Sequence, residues 1–206
     1  MARSKRLLAV CSLIKKQVTV FDVGSGHGLI AIYLSKTNRV ISSDVSKIIV
    51  EDLKRKLPKS EVILSDGLEK LDVKYEDVVV LAGMGTRTII KILQNDLNKL
   101  SYNIITLTHN DHYELRRKMR KLGYSMADEK IVLENKRYYI VNLFVKKINK
   151  QSISDYLFGI HGKNNKEYLK HLLQIKQKQY KVIPFNFDKV KMKILIILIE
   201  KKLSKL

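Results

Sequence analysis

The chain has 206 residues, 45% of them hydrophobic, and a formal charge of +20. That length suits one αβ domain of about 150 residues plus an appendage, with enough apolar content for a packed core. Charge of this size attracts polyanions, which ranks nucleic acid ahead of an anionic membrane as a partner, although an AT-rich genome accounts for part of the lysine excess.

A single cysteine, Cys11, excludes a disulfide framework and fits a reducing cytoplasm. The segment ending at Cys11 superficially resembles a lipoprotein signal. Its apolar stretch, Leu7 to Val10, is shorter than a signal core of about 7–15 residues. Leu7, Leu8, Cys11 and Ile14 instead share one face of a helix predicted over 4–16. Strands follow at 18–23, 39–44, 61–65, 77–82 and 103–108, with helical patterns between them at 28–36, 46–57, 86–98 and 111–121. Strands alternating with helices imply right-handed βαβ units and a parallel sheet. Residues 130–134 and 138–145 flank Asn135-Lys136-Arg137 and read as an antiparallel hairpin. The longest other apolar run, Ile194 to Ile199, falls well short of the about 20 residues that span a bilayer. Helices predicted over 163–182 and 188–205, separated at Pro184, form a basic α-helical hairpin or short coiled coil. It reads either as a solvated helical pair or as a clamp for RNA. The expected boundaries are 1–148 for the αβ domain and 149–206 for the helical one.

The most specific motif is at the end of the first strand, where Asp22, Gly24, Gly26 and Gly28 form acid-x-Gly-x-Gly-x-Gly, with Ser25 and His27 between the glycines. A ligand pressed against this backbone accounts for three side chains missing from one turn. A dinucleotide site wants its third glycine one residue later and an apolar residue in place of Asp22. A phosphate-cradling P-loop needs Gly-Lys-Ser/Thr, which is absent. The spacing matches S-adenosylmethionine (SAM) methyltransferases of the Rossmann-like class, and a parallel sheet ending in an antiparallel hairpin points the same way.

In open αβ sheets the ligand lies beyond the carboxyl ends of the strands. Asp44, followed by Val45, ends strand two, where a carboxylate can accept both ribose hydroxyls. Asp66 and Gly67 follow strand three, placed for an adenine amino group and a ring nitrogen. Ala82-Gly83-Met84-Gly85 ends strand four, where a flat substrate could enter. Each acid alone is also a common cap or turn residue, so the argument rests on their convergence at one edge. Asn110, after strand five, can donate to and accept from one base, or cap the next helix. His109, Asp111 and His112 lack the spacing and the third ligand that a metal wants, so none is expected. Arg116, Arg117, Arg120 and Lys121, on the helix after Asn110, suit phosphate contacts.

With these motifs placed, the chain resembles the TrmK family, bacterial tRNA (adenine-22-N1)-methyltransferases. The resemblance lies in Ser4-Lys5-Arg6-Leu7, Asp22-Val-Gly-Ser-x-His27, Asp66-Gly-Leu68, Ala82-Gly-Met-Gly85 and Asn110, and it covers about 1–148. It departs where the family has an acid before the histidine and this chain has Gly26, and where the family has a tyrosine and this chain has Leu29 and Ile30. It implies a SAM-dependent enzyme that methylates N1 of a flipped adenine in the D-arm of tRNA, with no required protein partner. Asn110 would then orient the base near His27, Asp22 would brace the cofactor, and Lys5 and Arg6 would join the RNA contacts. A basic RNA-binding protein on a retired fold of this kind, or a methyltransferase for another RNA or DNA site, is the alternative.

Overall fold

The computed structural model describes residues 4–160 and 165–206. Five strands pair in parallel: β1 (Thr19–Val23), β2 (Arg39–Asp44), β3 (Glu61–Leu64), β4 (Val78–Ala82) and β5 (Asn103–Thr108). A hairpin of β6 (Ser125–Glu134) and β7 (Arg137–Val145) joins β5 antiparallel through β7. The order is β3-β2-β1-β4-β5-β7-β6. Its direction reverses between β1 and β4, which puts a ligand crevice at the carboxyl end of β1.

Helices α1 (Lys5–Cys11), α2 (Leu29–Leu34), α3 (Lys47–Lys56), α4 (Thr86–Asn95) and α5 (His112–Lys121) surround the sheet. Strand β4 shows why both faces are covered. Val78 and Val80 join a core with Val20, Ile105, Val10 of α1 and Ala31 of α2. Val79 and Leu81 join the opposite core with Phe21, Ile104, Leu93 of α4 and Leu115 of α5. A strand buried on both faces reads as a continuous apolar run. Asp22 shares the side of Val20, so its carboxylate points toward α1.

Helix α1 ends at Cys11, five residues before the predicted limit. The connection to β1 is fixed instead by Asn38, whose side-chain amide donates to the Lys15 and Val18 carbonyls (2.7 and 3.1 Å). Strand β6 begins at Ser125, before the predicted 130, and a register shift between Met126 and Asp128 breaks the alternation that would have revealed it. Asn135 and Lys136 both adopt left-handed φ, the geometry of a tight two-residue hairpin turn.

The C-terminal region adds α6 (Ile153–Phe158), which the sequence reading missed, and then α7 (Asn165–Val182) and α8 (Phe187–Leu203). Positions 163 and 164 of the predicted helix lie outside the described residues. A Ser152–Asp155 capping box starts α6. Helices α7 and α8 close on each other around Leu172, Leu173, Leu195 and Ile199, with Phe158 at the base. A buried ion pair ties this region to the sheet. Arg116 Nη2 donates to Glu129 Oε2 at 2.5 Å, and Arg116 Nη1 donates to the Tyr156 carbonyl at 3.1 Å. Asn142 also donates to Glu129 (2.6 Å). Gly159 adopts φ +85°, and a Cβ there would overlap the Glu129 carboxylate.

Candidate active site

Two cavities open at the carboxyl edge of the sheet and share Gly24 as a wall. The larger, about 500 Å³, is lined on one side by Asp22, Ser25, Gly26 and His27 of the β1–α2 turn and by Ala82 and Gly83 after β4. Its other side is α1 and the hairpin: Ser4, Arg6, Leu7, Arg137 and Tyr139. The smaller, about 170 Å³, is lined by Asp44, Val45, Asp66, Gly67 and Met84. The structure therefore brings together the residues expected from four strand ends and divides them between two compartments.

The glycine turn has more than one cause. Gly24, Gly26 and Gly28 all have positive φ, a conformation in which a Cβ is costly. A Cβ on Gly24 would also meet Met84 at 2.7 Å, and one on Gly28 would meet Leu53 and Leu57 at 2.8 Å. Packing therefore accounts for Gly28, whereas the Met84 methyl at Gly24 is the movable end of a flexible side chain. Only Gly26 faces open space, with no atom within 4 Å of a built Cβ.

Asp22 is 2% exposed, and its Oδ2 has no hydrogen-bond partner. Burial pushes its carboxyl up to about 7, a hydrogen bond from Ser25 opposes the rise, and nearby Asp44 adds to it. A carboxylate with one oxygen unpartnered at a cavity wall is suited to a cationic ligand group. Burial, aided by Asp22, pushes the Cys11 thiol up to about 12, which leaves it protonated and inert. Asp44 is already partly engaged, since it accepts from the Gly26 and Ser46 amides (3.3 and 3.0 Å) and so fixes both the turn and the start of α3. Asp66 is exposed at the smaller cavity, and Gly67 has left-handed φ with Ile92 packed against it. Gly85 lines neither cavity and forms the N-cap position of α4.

His27 is exposed and lines the larger cavity. Asn110 is also exposed, and its carbonyl accepts from Thr86 Oγ1 at 2.8 Å. It does not cap α5, because Asp111 holds that position. Its neighbour His109 lines the cavity. His112 turns inward onto Thr108 Oγ1 at 3.0 Å, and burial holds its imidazole down at about 3, with Arg116 and His109 adding to the effect.

The basic face expected on α5 is largely absent. Arg116 is 2% exposed and committed to Glu129, so it cannot reach a phosphate. Arg120 donates to the Asn149 carbonyl (3.0 Å), and Arg117 pairs with Glu114 (2.9 Å). Lys121 remains exposed. Lys5 is exposed on α1, whereas Arg6 stacks on Tyr139, its Cζ 5.0 Å from the ring centroid. Glu134 anchors this corner by accepting from Ser4 Oγ (3.0 Å) and the Arg6 amide (2.9 Å). The sequence reading missed Arg137 and Tyr139. They alternate in β7 with Val141 and Leu143, a period-two pattern that places all four on the cavity side.

A family model described as a methyltransferase domain matches residues 3–141, and the chain belongs to that family. Its sheet order and terminal hairpin are those of the Rossmann-like SAM-dependent methyltransferase fold. Within that class, its particular likeness is to the TrmK enzymes. It is 30% identical over 149 residues to the tRNA (adenine(22)-N(1))-methyltransferase of Bacillus subtilis, a match that covers 67% of this chain and 63% of that enzyme. The same fold is found in M. capricolum TrmK in complex with S-adenosyl-homocysteine, with TM-score 0.85, 23% identity and 99% of each chain covered. It recurs in a Streptococcus pneumoniae protein in complex with S-adenosyl-L-methionine, with TM-score 0.84, 24% identity and 97% and 99% covered.

Proposed function

We propose that this chain is a cytoplasmic SAM-dependent methyltransferase acting on N1 of the adenine at position 22 of tRNA. The observation that carries the reading is the buried, unpartnered Asp22 oxygen in the larger cavity, beside the open space at Gly26 and two residues before Gly24, which the two cavities share. The printed activity of the Bacillus subtilis relative supports the choice of nucleotide. No helix among the described residues is long and apolar enough to cross a membrane.

In this reading Asp44 and Asp66 hold the nucleoside end of SAM, and Asp22 holds its amino-acid cation. When bound, SAM supplies an electrophilic methyl group on sulfur. The neutral adenine N1 lone pair needs no prior deprotonation, so the protein's task is to align it with the methyl group. N1 lies on the pairing edge, so the base has to leave its stack. The larger cavity offers it the Tyr139–Arg6 stack and Arg137 on one wall. His27 lies on the opposite wall, with Asn110 orienting the base nearby. Lys5 and Lys121 remain exposed for phosphates.

The test is transfer of labelled methyl from SAM to a tRNA carrying adenine 22, followed by mapping of the modified base. The expected product is N1-methyladenosine at that position. A label at another nucleotide, or none with correctly folded protein, refutes the reading. Asn110→Ala is expected to lower turnover while leaving SAM affinity intact. A drop in turnover that merely tracks a loss of SAM binding would remove its base-orienting role.

A further inference from the structure

Residues 109–111 leave the carboxyl edge of the sheet in a conformation that has to be held. Asp111 adopts φ +50° and ψ +37°, the left-handed region that a residue with a Cβ enters only at a cost. Such conformations persist where the surrounding contacts over-determine them. Two buried threonines supply those contacts. Thr86, 1% exposed, opens α4, and its Oγ1 donates to the Asn110 carbonyl at 2.8 Å. Thr108, also 1% exposed, ends β5, and its Oγ1 meets His112 Nδ1 at 3.0 Å. The Gly83 amide also donates to the Leu107 carbonyl (3.3 Å), so the turns after β4 and β5 are joined at two points. Both turns face the larger cavity, which Ala82, Gly83, Leu107 and His109 line.

Resting on the reading that Asn110 orients the base, we propose that Thr86 is a positioning residue for methyl transfer, its hydroxyl fixing where Asn110 stands relative to the cofactor. Asn110 is exposed and its side chain is short, so the place its amide reaches is decided by its backbone. That backbone is set from both sides, by the Thr86 bond on its own carbonyl and by the left-handed residue that follows it. Gly85 holds the N-cap position of α4 and offers no side chain to cap it. The hydroxyl one residue further on is directed across to the neighbouring loop instead. The turn that leads into Thr86 carries Met84, which lines the smaller cavity beside Asp44 and Asp66. One buried hydroxyl therefore relates the loop that meets the base to the turn that borders the cofactor compartment. In a dry setting such a bond is stronger than one shared with water. An exposed loop without it samples several placements, and a misplacement of about 1 Å costs on the order of 100-fold in rate.

The experiment compares Thr86→Val, which keeps the shape and removes the donor, with Thr86→Ser, which keeps the donor. Thr86→Ala repeats the comparison should valine prevent folding. Methyl transfer to tRNA is followed at saturating SAM, and turnover is expressed per SAM-binding site counted by calorimetry, so misfolded protein drops out of the ratio. Thr86→Val is expected to lower kcat about tenfold or more, with SAM affinity and the KM for tRNA little changed, and Thr86→Ser to restore most of the loss. A merely structural role would lower the melting temperature and the number of binding sites while leaving turnover per site intact, and that result overturns the proposal. So does a serine variant as slow as the valine one. In an Asn110→Ala background Thr86→Val should add little, because the group it positions is already gone, whereas full multiplication of the two losses overturns the route through Asn110. The unaltered enzyme is the internal reference. If it does not methylate adenine 22, the functional reading fails and this proposal with it, whereas an active enzyme indifferent to Thr86→Val overturns this proposal alone.

Discussion

The sheet and the helical hairpin handle awkward side chains in opposite ways. The sheet and its helices bury charge: Arg116 and Glu129 are both almost fully enclosed, and Asp22 is enclosed with one oxygen unpartnered. The hairpin exposes apolar surface at Phe185 and Phe187. Arg116 and Arg120, expected to meet phosphates, are engaged within the protein, whereas Phe185 and Phe187 are left in water. Residue type alone is therefore a poor guide to which side chains are buried.

The buried pair offers the sharpest break in this comparison. Glu129→Ala would strand the Arg116 cation in the interior and should destabilise the protein by about 3–5 kcal/mol, read by urea denaturation. Glu129→Gln, which keeps one acceptor oxygen for Arg116 and Asn142, should cost less. A loss near zero for the alanine variant would mean that the hairpin is not fastened through this pair.

Asp22 is expected to trade stability for binding. Its folded pKa of about 7 lies above the ordinary carboxyl value, so the folded state keeps its proton where the unfolded state has lost it. Stability of the ligand-free protein should therefore fall as pH rises from about 4 to about 7 and level off above that. Asp22→Asn should remove this slope and stabilise the protein at pH 8, on the order of 2–4 kcal/mol. The same variant should weaken SAM binding about 10–100-fold, by loss of a charge-assisted contact. Thermal melts across pH and calorimetry with SAM check both halves.

Gly26→Ala should cost about 1 kcal/mol in the ligand-free protein, from its left-handed φ alone, since no neighbouring atom opposes a Cβ there. Its larger effect should be on SAM affinity. Gly28→Ala should reverse that balance, because Leu53 and Leu57 resist it. At the small end, a Phe185→Ser/Phe187→Ser variant should change unfolding free energy by no more than about 0.5 kcal/mol. A substantial loss would show that these rings belong to the hairpin's own core.

Local signals carried much of the fold. Strands β2 and β5 lie where their apolar runs were read, and the parallel order with a closing hairpin followed from strands alternating with helices and then ceasing to. The features missed have identifiable causes. The bulge hid the first half of β6, and α6 is only six residues long and announced itself only through Ser152 and Asp155.

The sequence by itself determined the glycine turn, the acids at successive strand ends and hence the class of ligand, because these depend on short spacings and on which edge the strands share. Only the tertiary structure decided that Ser4, Arg6 and Tyr139 form one wall across more than a hundred residues, that Arg116 faces inward, and that Phe185 faces out. Whether a charge or a ring is buried depends on what packs against it, and that partner comes from distant chain that no local pattern encodes.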